Sequence, residues 1–257
     1  MPILPAALLI VVAGAPIGQK PLGPSDWKKT NMTPIEFAKS IDAGILKVKG
    51  ALGEASYSWK FFSGASGNAK FMYRIQDRKN FRIEMLKLDN AKEDEFKSQR
   101  LVGRNGAFSL FTSGKGAVKI KPGGELGVLP PNSNPLADWP LHYQQVMFQS
   151  YVNGRGAFLE MMKELTKKNS GFSIQLDKRT IQGNKGSIAQ MRMMATRTKA
   201  AAAKLGPAII EIIAETNHWL PLAVRVDVGN TKKQNAVFIW LSQWRGPFKF
   251  GSVWFKN

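Results

Sequence analysis

Residues 69–89 read AKFMYRIQDRKNFRIEMLKLD. Ala69, Phe71, Tyr73 and Ile75 alternate with Lys70, Met72, Arg74 and Gln76. After Asp77–Asn80, Phe81, Ile83 and Met85 alternate with Arg82, Glu84 and Leu86. Period two on both sides of a short polar turn predicts a β-hairpin with one apolar face. The large, soft side chains of that face admit two readings, an ordinary core or the wall of a pocket for something apolar.

The same period extends over residues 55–121. ASYSWKFF (55–62) predicts a strand, SGASGN a glycine turn, and SQRLVGR, AFSLFTS and AVKIK three further strands. Asn105-Gly106 between two apolar runs is a hairpin signal, so this stretch reads as an antiparallel meander. Before it, Thr33, Pro34 and Glu36 form a capping box, Met32 and Phe37 are spaced as a hydrophobic staple, and Ile35, Ala38, Ile41, Ile45 and Val48 follow helical spacing. A helix over about 34–48 follows. Residues 122–140 carry five prolines and read as a loop. Two helical pieces are predicted at about 141–151 and 155–168, separated by Gly154 and Gly156. Strands then resume in FSIQLD, IAQMRMMATR, AIIEIIAET, LAVRVDV and AVFIWLSQW, with a short one near SVWF. Because helices interrupt the strands, one large sheet with helices laid against it fits better than two domains.

The N-terminus differs in character. Ile3 to Ile17 carries no charge and is shorter than the roughly 20 residues of a membrane span. Residues 1–18 read as a secretory signal peptide, with Ala13–Ala15 near a cleavage site, although no Lys or Arg precedes the apolar run. Residues 19–32 read as a linker and 33–257 as one domain, in a periplasmic or secreted protein. With no cysteine, disulfides, thiolate metal sites and cysteine nucleophiles are excluded.

Catalytic constellations are nearly absent. His142 and His218 are the two histidines, and no His or carboxylate group has metal-ligand spacing. GASG at 64–67 is no nucleophile elbow, and GRGAFL at 154–159 lacks a dinucleotide loop's third glycine. Glu211 and Glu215 share a strand face, where acids are expected to be solvated. The chain is therefore read as a non-enzyme without cofactor or metal. Its formal charge of +19 points to an anionic contact. Residues 96–124 and 178–210 contain no acid, and Lys178, Arg179, Lys185, Arg197, Lys199 and Lys204 are the candidates for an anionic membrane surface or an acidic partner protein. Nucleic acid is disfavoured, because exposed aromatics do not interleave with the basic residues.

The run from Lys79, Phe81 and Arg82 through Asn105-Gly106 to Phe108–Phe111, then EIIAETNHWLPLAVRVDV and AVFIWLSQW followed by PFKF, resembles the periplasmic lipoprotein carriers of the LolA type over residues 33–257. That resemblance implies a mainly β fold, an unclosed antiparallel β-barrel with helices covering its mouth around an apolar cavity. It implies an exported, monomeric carrier that shields acyl chains of lipid or lipoprotein. Candidate wall residues are Phe71, Tyr73, Phe81, Ile83, Met85, Phe108, Leu110, Met191 and Met193. Each buried CH₂ contributes about 0.8 kcal/mol, so a chain of roughly 16 carbons represents about 12 kcal/mol. The alternatives are a cell-envelope sensor or interaction domain on the same fold without cargo, and a basic nucleic-acid binder.

Overall fold

Thr33 sets the first helix. In the computed structural model its hydroxyl accepts from the Glu36 N–H at 3.2 Å, while the Glu36 carboxylate takes the Thr33 N–H at 2.8 Å. Two orphan groups of the helix start are thereby satisfied reciprocally. The helix, α1 (Pro34–Lys47), buries Phe37, Ala38, Ile41 and Ile45. Met32 and Phe37 lie in the same apolar cluster, as the staple spacing predicts. The structure describes residues 26–60, 62–64, 66–77, 79–89, 99–104, 107–112, 115–120, 157–183 and 186–250. The signal peptide, the Pro-rich loop, the helix expected at 141–151 and the strand near SVWF lie outside these.

The chain enters through a two-residue strand, β1 (Lys28–Lys29), inside the segment expected to be a linker. After α1 come β2 (Ala51–Lys60), β3 (Ser66–Asp77), β4 (Asn80–Asp89), β5 (Gln99–Arg104), β6 (Ala107–Thr112) and β7 (Lys115–Ile120). Then follow α2 (Ala157–Leu165), β8 (Phe172–Gly183), β9 (Gly186–Arg197), α3 (Lys199–Leu205), β10 (Ala208–Glu215), β11 (Pro221–Gly229) and β12 (Asn235–Arg245). Helix α3 covers the alanine run at 200–203. Thr198 caps it.

All twelve strands form one antiparallel sheet in the order β1-β8-β9-β10-β11-β12-β2-β3-β4-β5-β6-β7. The two halves of the meander therefore meet at β12 and β2, where Trp240 faces Tyr57. The opening hairpin falls in place, with Phe71, Tyr73 and Ile75 opposite Met85, Ile83 and Phe81. Asp77 accepts from the N–H groups of Lys79 and Asn80 and makes its turn. Arg104 faces Ala107, so two residues connect β5 and β6, as Asn-Gly demands.

One apolar cluster runs from Leu176 on β8 to Ile83 on β4, eight strands across, and includes both α1 and α2. Eight strands laid flat span roughly 35 Å, whereas two helices side by side cover about 20 Å. Twist curls the sheet around the helices, and it stays unclosed, with β1 and β8 at one end and β7 at the other. The fold class implied by the resemblance is thus the one the chain adopts. Gly44 brings α1 against the β10–β11 turn, where an added Cβ would stand 2.3 Å from the His218 carbonyl oxygen.

Candidate functional site

On the inner face the ladder aligns Leu176, Met193, Ile212, Val224, Trp240 and Tyr57, all buried, across six strands. Of the nine candidate wall residues, Phe71, Tyr73, Phe81, Ile83, Met191 and Met193 are brought into this one cluster with Phe37, Ile41, Phe158 and Met162. Each of the six is at most 6% exposed. Met85, Phe108 and Leu110 sit on described strands, while their side chains fall outside the described residues. The ladder sets Ile83, Leu101, Leu110 and Val118 in one row, and Phe81, Gly103, Phe108 and Ile120 in the next. The apolar rows of the hairpin therefore continue to β7.

Gly53 shapes the floor. Tyr73 stacks on Trp244 at 5.6 Å, and an added Cβ at Gly53 would meet Tyr73 at 2.9 Å and Trp244 at 3.0 Å. Tyr57 is buried beside Trp240, and burial pushes its phenol up.

Asp42 joins the two helices. Its carboxylate accepts from the N–H groups of Phe158 at 3.1 Å and Leu159 at 2.8 Å, donors of the first turn of α2. Only 5% of the residue is exposed. Burial pushes its pKa up to about 6, against these two hydrogen bonds, and Glu160 adds to the rise. Sequence reading missed this residue. The signal was its position between Ala38 and Ile45, on the apolar stripe of α1.

The outer face of the same strands carries charge. Arg192 donates to Asp177 at 2.6 Å, and its Nη1 stands 3.7 Å from Glu211. Arg225 donates through Nε to Asp227 at 3.0 Å. All five are buried, between 2% and 7% exposed. The solvated acid expected at 211 is therefore corrected. Glu211 sits in mid-sheet beside Arg192, where a neighbouring cation replaces water. Trp27, from the segment before β1, lies over this face with Arg179 and Arg192 stacked on its ring at 4.3 and 4.6 Å.

The proposed basic surface is thinner than the sequence reading has it. Lys178, Lys199 and Lys204 are exposed. Arg197 is not a surface cation, because it is buried and donates to the Leu205 and Gly206 carbonyls that end α3. Burial pulls its guanidinium below the usual value. Arg179 is turned in as well, bonded to Gln190 and stacked on Trp27. Lys185 lies outside the described residues. A basic cluster of another kind lies on β3 and β4, where Arg74 and Arg82 both bind Glu84. Despite its burial, these two arginines hold Glu84 below the usual carboxylate range.

Among the described residues no helix is long and apolar enough to cross a membrane, and no three His, Asp or Glu side chains are placed to hold a metal. No protein-family model matches the chain, and no curated protein does. Several solved structures are similar in fold. A LolA superfamily protein from Nitrosomonas europaea has 8% identity and a TM-score of 0.35, over 86% of this chain and 97% of that one. An outer membrane lipoprotein-sorting domain from Vibrio parahaemolyticus has 8% identity and a TM-score of 0.36, over 86% and 95%. The MucA/MucB complex of Pseudomonas aeruginosa contributes a chain with 12% identity and a TM-score of 0.39, over 87% and 60%.

Proposed function

We propose that this chain is an exported, non-catalytic binder that shields an acyl chain of a lipid or lipoprotein on the inner face of its open sheet. One observation carries the reading. The apolar rows Tyr73–Ile83–Leu101–Leu110–Val118 and Ile75–Phe81–Gly103–Phe108–Ile120 run on through β5, β6 and β7. The described core cluster, with α1 and α2 in it, already holds Tyr73, Ile75, Phe81 and Ile83 of these rows. A row of aliphatic and aromatic residues at the open end of a curled sheet has the chemistry of a surface for methylene groups, whose burial contributes about 0.8 kcal/mol each. The proposed acyl site follows these rows toward β7.

Purified protein should yield acyl chains on solvent extraction. After delipidation it should bind fluorescent palmitate, and Leu110→Asp should weaken that binding while far-ultraviolet circular dichroism stays unchanged. Protein that is lipid-free as isolated and indifferent to palmitate would overturn the reading. The packed β8–β3 interior favours the second reading, an envelope interaction domain without cargo, in that event.

A further inference from the structure

We propose that the outer edge of β8 is a docking site for an acidic, extended segment of a partner protein, which adds to the sheet as a further strand. This goes beyond acyl binding and does not depend on it. The Thr30 N–H donates to the Leu176 carbonyl at 3.3 Å, which fixes the side of β8 that faces away from β9. By antiparallel geometry Lys178, Thr180 and Gln182 turn their N–H and C=O groups the same way. Residues 28–30 cover this edge only from Leu176 to Lys178 among the described residues. No described residue pairs with the outward groups of Thr180 or Gln182. Among the described residues, a strand of twelve residues is therefore capped over a small part of its length, and such an edge is a template for another strand.

A second observation sets the chemistry of the occupant. Trp27 Nε1 and Arg179 Nη1 are both buried and have no hydrogen-bond partner. The Arg179 side chain is 6% exposed, and the Asp26 carboxylate stands 3.7 Å off, beyond hydrogen-bond reach. Both orphans are donors, and they lie together, with the guanidinium stacked on the indole. The Asp26 carboxylate is an ion-pair partner at this distance, and a carboxylate within hydrogen-bond reach would satisfy the guanidinium better. The exposed Lys28, Lys29 and Lys178 surround the edge with further positive charge.

Charge selects among occupants. Two copies joined β8 to β8 would bring Lys178 and Arg179 against their like, on chains that each carry +19. An anionic lipid surface meets the cations and leaves the outward N–H and C=O groups unpaired. An acidic strand answers both needs.

The test uses the full chain and a labelled peptide of alternating Glu and Val. Anisotropy should report binding at near-physiological salt, and hydrogen exchange at the Thr180 and Gln182 amides should slow when the peptide is present. Thr180→Pro removes an outward N–H without touching the β8–β9 ladder, and should weaken binding about tenfold or more. Arg179→Gln should weaken it severalfold. Several results would overturn the proposal: unchanged exchange at both amides, equal binding of a proline-interrupted peptide, binding of anionic vesicles alone, or a dimer joined through β8. Should Thr180→Pro fail to fold, exchange at the two amides in the unaltered chain decides.

Discussion

Arg192 and Met193 are consecutive residues of β9, and the sheet sends them to opposite sides. Met193 is fully buried on the inner face, between Leu176 and Ile212. Arg192 is 7% exposed on the outer face, bonded to Asp177 and facing Glu211. Both are interior residues, held there by different physics. Met193 is held by area and shape, and its neighbours can relax into part of the space it leaves. Arg192 is held by partners that become liabilities once it is gone. The outer face is therefore the more brittle of the two, although it has the look of a surface.

The largest effect expected follows from that contrast. Arg192→Met leaves the Asp177 carboxylate buried without its cation and should cost about 3–5 kcal/mol in chemical denaturation. Met193→Ala should fall lower in the overlapping range of about 2–5 kcal/mol. Asp177→Leu added to Arg192→Met should recover most of the loss, because an apolar replacement of the pair removes the uncompensated charge. A cost below about 1 kcal/mol for Arg192→Met would mean that the network is solvated, and the contrast between faces would collapse.

The inner face is sharpened by a steric test. Gly44→Ala improves helix propensity by up to about 1 kcal/mol in an open helix. Here the new Cβ meets main chain, the carbonyl oxygens of His218 at 2.3 Å and Trp219 at 2.6 Å. Main chain cannot swing aside as a side chain can, so the substitution should destabilise by about 1–3 kcal/mol. A neutral or stabilising result would show that α1 is not seated on the β10–β11 turn.

The two faces also differ in how far the sequence discloses them. Alternation in Phe71–Ile75, Phe81–Ile83 and Met191–Met193 marks the inner face directly, because burying apolar area is a local property of period two. The capping box at Thr33 and the Asn-Gly signal are equally local: the box forms, and β5 and β6 pair on either side of Asn-Gly. The outer network has no such mark. Glu211 and Arg192 look like ordinary solvent-facing residues until the register sets β9 beside β10. Trp27 lies in a stretch with the composition of a linker, and nothing nearby announces that it reaches Arg179 and Arg192. Asp42 interrupts an apolar stripe, a visible anomaly, but its partner lies 116 residues away. Pairings of that kind are fixed by topology and leave no periodic trace.

Asp42 supplies a smaller effect, on the inner face, with a sign that can be worked out. Its pKa is raised in the folded chain to about 6 from an ordinary 3.8. The folded state thus holds the proton more tightly than the unfolded one. The stabilisation is complete below the ordinary value and is lost as pH rises through about 6. Between pH 5 and pH 7.5 the fold should lose on the order of 1 kcal/mol at this group. Asp42→Asn should flatten the profile in that window. A wild-type stability that rises from pH 5 to pH 7.5, with the slope unchanged in the variant, would remove Asp42 as its source.

The smallest effect separates burial from contact distance. Lys163 meets Glu160 at 2.7 Å on α2, and Arg192 meets Asp177 at 2.6 Å on the outer face. The distances are nearly equal, yet the first pair has side chains 52% and 66% exposed and the second 8% and 2%. Water and salt screen the helix pair, and each partner is well hydrated when alone, so Glu160→Gln should cost no more than about 0.5 kcal/mol and less at high salt. The buried pair has no such alternative solvation. If the two substitutions cost the same, partner geometry alone would govern these ion pairs. If they differ as expected, the missing water makes the outer face brittle, and moving Trp27 aside to admit water should soften it.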